Sequence, residues 1–260
     1  MRLRFLGTGT SFGIPVIGCT CATCTSTDPR DRRTRHAAIV ESDDGARRLL
    51  IDSPPELRLQ LLRDGISTID AVWYTHGHAD HTHGIDDLRA FTVRNHQPIT
   101  AWADETCAAL LRHRFGYIFD PDHVAPPGTS IPEIRLRTYR TGESVDVAGF
   151  RLLPLAAKHG SEIVHGFRVG DLGYITDASA LPDETKEALA GVRTLVLNAL
   201  WPGRPHPMHF SVEQAVAVAD AIGPERTYLT HLSHRVRHAE LLETLPTGIE
   251  PAYDGLVIEF

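Results

Sequence analysis

No stretch of this chain approaches the roughly 18 consecutive apolar residues of a membrane-spanning helix. The opening MRLRFLGTGTSFGIP has neither a long apolar run nor a small-residue cleavage site, so we expect a cytoplasmic protein without a secretory leader. Lysine is almost missing: Lys158 and Lys186 are the only two, and arginine carries the positive charge, which we read as a trace of GC-rich coding. Positive charge is in deficit overall, with 26 Lys and Arg against 33 Asp and Glu, a balance of −7. That balance counts against a surface that coats nucleic acid, but it leaves room for a small anionic substrate held by metal ions. Four cysteines in 260 residues are too few for a disulfide scaffold. Gly 21 and Pro 17 are near ordinary usage, which excludes collagen and a disordered chain. With no internal repeat, low-complexity tract or Pro/Gly/Ser linker, residues 1–260 read as one domain. At 42% hydrophobic, the chain can bury a sizeable core.

Against these absences, histidine stands out: 15 residues, more than Phe at 9 or Tyr at 6. Cys19, Cys21 and Cys24 crowd into six positions. Both features point towards metal. Strand-like runs cover 2–6, 36–41, 48–52, 71–75, 99–102, 133–139, 150–156, 173–177, 194–200, 226–230 and 256–260. Helical patterns cover 104–115, with Ala108, Leu111 and Phe115 near one face, and 181–190. A third covers 211–222, where Ser211 is a good N-cap, Glu213 is nearby, and Val212, Ala215, Val216 and Ala219 form a stripe. Strands come in pairs early and alternate with helices late. That mixture fits an α/β fold of two packed sheets with helices outside, a four-layer αββα sandwich; a doubly wound parallel sheet is the competitor.

The strongest chemical signal is Tyr74-Thr75-His76-Gly77-His78-Ala79-Asp80-His81. A hydrophobic run leads straight into a loop with three His and one Asp in six positions. Imidazole and carboxylate suit divalent transition metals, and a loop at a strand end can turn such side chains inward. His76 and His78 share a side if the strand continues, while Asp80 and His81 serve another direction. Four adjacent ligands would strain a single ion, so the spacing suggests two neighbouring metals. A solvated His-rich turn is the plain alternative.

A strand followed by HxHxDH resembles the metallo-β-lactamase-fold hydrolases. Four further motifs of that family find matches in order: Leu49-Leu50-Ile51-Asp52, Lys158-His159-Gly160, Tyr174-Ile175-Thr176-Asp177 and Tyr228-Leu229-Thr230-His231. The resemblance implies that His76, His78 and His159 hold one metal and that Asp80, His81 and His231 hold the other, with Asp177 bridging. Asp52 would stand behind them and orient the loop by hydrogen bonds. Taken singly, His159 reads as a surface histidine and Asp177 as a cap; their joint order speaks for the family.

A second signal is Gly18-Cys19-Thr20-Cys21-Ala22-Thr23-Cys24, whose thiolates at i, i+2 and i+5 can converge on one tetrahedral ion. The fourth partner is Cys107, which reads as a buried helical thiol, or His234, the better candidate. Free reduced thiols or a redox pair are the alternatives; an iron–sulfur cluster usually wants four Cys. CxCxxC after Gly7-Thr8-Gly9-Thr10, with Thr230-His231-Leu232-Ser233-His234 and a closing Tyr253-Asp254-Gly255, is similar to the phosphoribosyl 1,2-cyclic phosphate phosphodiesterases of the carbon–phosphorus lyase pathway. That likeness implies a structural zinc on Cys19, Cys21, Cys24 and His234, and an acid at His209, 22 residues before His231, with His206 as rival. The chain departs from that group in two places: Ser-Pro-Pro-Glu follows Asp52, and the segment 84–135 resembles broader relatives.

The expected activity is therefore a metal-dependent phosphodiesterase opening a small cyclic (ribosyl) phosphate by attack of a metal-bridging hydroxide. Asp80 and His209 would be its catalytic residues, and His209 would protonate the leaving oxygen. Expected cofactors are two active-site divalent ions, zinc or manganese, and one structural zinc. Expected partners are a small phosphodiester, with neither membrane nor nucleic acid and a homodimer left open. A tRNA 3′-processing endonuclease is one competitor, although no RNA-binding arm is visible. A β-lactam or thioester hydrolase and a zinc-binding module with a vestigial site are others. GTGT lacks the GK[ST] ending of a phosphate loop and reads as a tight turn beside the site.

Overall fold

The computed structural model describes residues 1–260. Its strands are β1 Arg2–Gly7, β2 Ala37–Glu41, β3 Arg48–Ile51, β4 Ala71–Trp73, β5 Ile99–Ala103, β6 Ile134–Thr138, β7 Val145–Val147, β8 Phe150–His159, β9 Glu162–Val169, β10 Leu172–Ile175, β11 Thr194–Asn198, β12 Arg226–Thr230, β13 Ile249–Pro251 and β14 Val257–Glu259. Its α-helices are α1 Leu57–Arg63, α2 Ala79–Thr82, α3 Arg89–Asn95, α4 Glu105–Arg114, α5 Gly116–Phe119, α6 Asp183–Leu189, α7 Val212–Ile222 and α8 His238–Thr244.

Burial patterns explain where each strand lies. β2 and β11 are buried at every position and sit inside sheets covered on both faces, while β6 carries three exposed or half-exposed polar side chains and closes an edge. One sheet runs β14-β1-β2-β3-β4-β5-β6, the other β13-β12-β11-β10-β9-β8-β7. Each is antiparallel at one end and parallel at the other: β3 to β6 pair parallel, and so do β10 to β13. Helical crossovers are needed between parallel neighbours, and they cover the outer faces. The result is the αββα sandwich expected from the sequence. No helix is long and apolar enough to cross a membrane.

Three apolar clusters hold the layers together: one between the sheets and one under the helices of each sheet. At the centre Trp73 stacks on Tyr139 (3.9 Å, 5°) and meets Phe167 edge-on. The Tyr139 hydroxyl donates to the Tyr74 carbonyl at 3.1 Å, so this packing also pins the chain just before His76. Truncating Trp73 to Ala costs about 3–5 kcal/mol by the usual core arithmetic.

The helices begin where capping chemistry dictates. Asp104 accepts from the Thr106 and Cys107 amides and starts α4, and Cys107 is buried as expected. Ser211 caps α7, but the reciprocal partner in its capping box is Gln214, not Glu213. The Glu213 carboxylate instead accepts from Ser211 Oγ and the Gly203 amide, tying the preceding loop to the helix. Three strands lie outside the expected runs: β7, β9 and β13. β8 also runs past residue 156 to His159, so the supposed lone histidine sits on a β-hairpin.

Candidate metal centre

The functional side chains gather where strands of both sheets end. β3 runs into Asp52, β4 into the His76 loop, β10 into Asp177 and β12 into His231. Asp52, Asp177 and His231 all have left-handed backbones (φ 60, 55 and 57°). A non-glycine residue resists this conformation at a cost of roughly 1–2 kcal/mol. It persists here because the sharp turn aims a side chain that glycine lacks. His76 and His78 do not prolong β4: the chain leaves the strand at Trp73, and His78 becomes the N-cap of α2, which carries Asp80 and His81. Packing, not pleat, therefore brings the His76 and His78 rings together, edge-on at 4.6 Å.

Donor atoms of His76, His78 and His159 lie within 4.8 Å of one another, as do those of His76, His81 and Asp177, and of His159, Asp177 and His209. Asp177 is thus common to both sides of the centre. Its Oδ1 is 3.5 Å from His81 Nε2 and 3.3 Å from His231 Nδ1, and Asp80 Oδ2 is 3.6 Å from His81 Nε2. The outer nitrogens are held by the fold. His159 Nδ1 donates to the Met208 carbonyl (2.7 Å) and His81 Nδ1 to Asp52 Oδ2 (2.7 Å). The Thr75 hydroxyl gives its proton to Asp52 (2.8 Å), so its oxygen accepts from His76 Nδ1 (3.1 Å). Each of these bonds engages Nδ1 and turns Nε2 inward.

Electrostatics test whether cations fit. His76 Nε2, His81 Nε2, His209 Nδ1 and His231 Nδ1 are buried and lack any hydrogen-bond partner, a costly state unless something else binds them. Burial disfavours charge on His81, yet Asp177, Asp52 and Asp80 outweigh it and hold its proton well above the ordinary range. Burial likewise opposes charge on Asp177, but His231 and His81 hold its carboxyl well below the usual range. The centre thus attracts positive charge, and divalent cations match it. Burial pushes His76 and His231 down, which keeps both bare for coordination.

Close by, Cys19, Cys21 and Cys24 converge on His234, with sulfurs 3.4, 3.5 and 3.8 Å from its Nδ1. Tetrahedral zinc with bonds of about 2.0–2.3 Å has donor edges of this size. The Cys24 amide donates to Cys21 Sγ (3.5 Å), and chiefly for that reason the Cys21 thiol falls to about 6. Burial lifts Cys24 to about 11, although the Val16 amide donates to its sulfur (3.3 Å). Cys107 lies in α4, outside this group. Arg33, fully buried, donates to the Ser233 and Val236 carbonyls and so braces the loop that carries both His231 and His234. The GTGT turn does the same from the other side: Leu232 N–H donates to the Thr8 carbonyl, and Asp254 accepts from the Thr8 amide and hydroxyl. Glycine is required at position 7, where a Cβ would sit 1.9 Å from the Arg35 carbonyl oxygen.

Sequence reasoning missed three participants. The Met208 carbonyl orients His159; Glu162 Oε2 lies 3.3 Å from His78 Nε2; and His36, fully buried beside His81 with ring centroids 5.2 Å apart, bonds Tyr174 Oη at 2.9 Å. Only Glu162 left a trace, since Gly160-Ser161 is a two-residue hairpin signature. A groove of about 870 Å³ between α7 and α8 is lined by none of the candidate ligands.

Fold and donor set together define a hydrolase of the metallo-β-lactamase fold that uses divalent metal. The family described as Beta-lactamase superfamily domain matches residues 47–232. A solved structure described as a new diphosphatase from the PhnP family is 38% identical, with a TM-score of 0.90, and the match covers 100% of this chain and 97% of that one. The chain belongs to the beta-lactamase superfamily and, within it, to the PhnP family. It is also 38% identical over 257 residues to a Porphyromonas gingivalis protein named Octanoyltransferase, covering 98% of this chain but 51% of the relative. The chain thus spans about half the length of that curated relative. Zn(2+)-bound PqqB from Methylobacterium extorquens (20% identity, TM-score 0.80, full coverage of both chains) shares the fold.

Proposed function

We propose that the chain is a dinuclear metal-dependent phosphodiesterase that opens a small cyclic (ribosyl) phosphate. The observation that carries this reading is the convergence of inward-facing His and Asp donors on one buried carboxylate, Asp177, with a further imidazole beside it. Zinc or manganese suits such nitrogen and oxygen donors. Two such ions, when bound, supply Lewis acidity towards phosphoryl oxygens and a water activated at neutral pH. His76, His78 and His159 would hold one ion, and Asp80, His81 and His231 the other, with Asp177 shared. Asp52 keeps His81 oriented throughout by accepting its Nδ1 proton.

His209 is the residue placed to move a proton. Its ring stacks on His231 at 4.7 Å, and its Nδ1 is 3.9 Å from Asp177 Oδ2. Burial first, then the neighbouring His231, push it down to about 3, so the open site presents a neutral imidazole. An arriving phosphate anion favours the protonated ring, which can then give its proton to the leaving sugar oxygen. His206 stacks on His209 at 5.3 Å, one ring farther from Asp177, and this favours His209 over its rival.

A second reading, cleavage of a diphosphate link, is favoured by the 38% identical neighbour described as a diphosphatase. The two differ in the leaving group and share everything at phosphorus. Human tRNase Z, short form, is 18% identical and shares the fold, while the −7 charge does not favour an RNA substrate. The test is turnover by the zinc- or manganese-loaded protein of bis(p-nitrophenyl) phosphate, a ribose 1,2-cyclic phosphate and ADP. We expect the diesters to be opened. Turnover of ADP alone moves the assignment to the second reading, and no turnover of any of the three sinks both.

A further inference from the structure

Each imidazole of the HxHxDH loop needs one nitrogen fixed so that the other can bind a cation. Thr75 anchors His76 and Asp52 anchors His81, and His159 is anchored by the Met208 carbonyl. Thr75 and Asp52 are fully buried. His78 differs. Its Nε2 lies 3.3 Å from Glu162 Oε2, with 59% of the Glu162 side chain and 38% of His78 exposed. Glu162 opens β9 directly opposite His159 across the hairpin. The turn between them is seated on Met208: a Cβ on Gly160, at φ 62°, would meet the Met208 sulfur at 2.2 Å. One hairpin end thus carries His159, packs on the Met208 that anchors it, and places Glu162 beside His78.

We propose that Glu162 is a positioning residue that turns His78 Nδ1 inward and thereby sets the cation affinity of the His76–His78–His159 position, making it the more weakly held of the two. Two features support the order. This position is built from three imidazoles beside the shared Asp177, whereas the other adds the Asp80 carboxylate and the Asp52-anchored His81. Its distinctive anchor is also solvent-exposed, where such pairs are weak and screened by salt. Removing the hydrogen-bond partner of a metal-ligating histidine typically lowers affinity 10–100-fold.

The inference rests on the two-metal reading, and the experiment separates the two. Zinc dissociation constants are measured on the full chain by competition with a chromophoric chelator, for the parent, Glu162→Ala and Glu162→Gln. We expect Glu162→Ala to weaken one histidine–aspartate ion roughly 10–100-fold and to leave the other ion and the thiolate-bound ion unchanged. Glu162→Gln, whose amide oxygen can face His78 Nε2 as an acceptor in the same place, should stay close to the parent. A parent-like Glu162→Ala overturns the proposal. So does equal weakening of every ion, or a Glu162→Gln that behaves like Glu162→Ala. A parent binding only one ion in this centre refutes the two-metal reading, and Glu162 is then judged by that ion's affinity in Glu162→Ala.

Discussion

Two donor clusters lie side by side in this fold and are built on opposite principles. The thiolate cluster closes itself: three sulfurs from one short loop meet His234 at tetrahedral spacing, and that donor set leaves no free position. The histidine–aspartate cluster is assembled from the ends of strands in both sheets, with residues forced into left-handed backbone and imidazole nitrogens left unpartnered. A closed set suits holding the fold; an open set with His209 alongside suits chemistry. Loop 231–236, braced by Arg33, connects them.

The contrast can be broken by substitution. Asp177→Ala should cost on the order of 10³-fold in kcat on bis(p-nitrophenyl) phosphate, since it removes the carboxylate shared by both ions and with it the Lewis acidity and activated water they would supply, with a smaller change in melting temperature than loss of a thiolate gives. Cys21→Ala should do the reverse, costing about 3 kcal/mol, a fall in Tm of roughly 6–12 °C, and lowering activity only through loosening of His231. If Asp177→Ala melts early while Cys21→Ala melts like the parent, the division of labour is wrong. Next in size, His209→Gln should lower kcat about 10²-fold for a sugar leaving group and much less for p-nitrophenolate, which leaves without a proton; the same change at His206 should be milder. Stepwise chelation followed by metal analysis sharpens the picture: the open cluster should empty first and the thiolate cluster last.

The smallest effect concerns pH. The His238 amide is bonded to Asp31, which also pairs with Arg33. Burial, then Arg30 and Arg33, push its ring down to about 4 from 6.5. Between those values the unfolded chain binds the extra proton, so stability rises with pH through this window and is lost as pH falls from 6.5 towards 4. Denaturant midpoints at pH 7 and pH 4.5 should converge in His238→Leu relative to the parent.

Most of the open cluster was legible because its residues announce themselves at strand ends: Asp52, His76 to His81, Asp177 and His231 each close an apolar run. What was hidden is instructive. β9 escapes notice because Gly166 and His165 interrupt its pattern; Gly166 is there because a Cβ would lie 2.1 Å from the Tyr174 carbonyl oxygen. Edge strands β7 and β13 are three residues each, too short to show a period. The Met208 carbonyl carries no side-chain signature at all, and His36 looks like any residue entering a buried strand. Helix α7 was readable down to its cap, yet the box is completed by the Gln214 carboxamide at the third helical position and not by the Glu213 carboxylate noted beside Ser211.

Residues 231 and 234 belong to different clusters but to a single turn of chain, more than 150 residues after the HxHxDH loop begins at His76 (231 − 76 = 155). During synthesis, the thiolates emerge early and wait, and the HxHxDH loop waits too, until this late segment leaves the ribosome. The thiolate set and the Asp80–His81–His231 set are both incomplete before then, and the same few residues complete both.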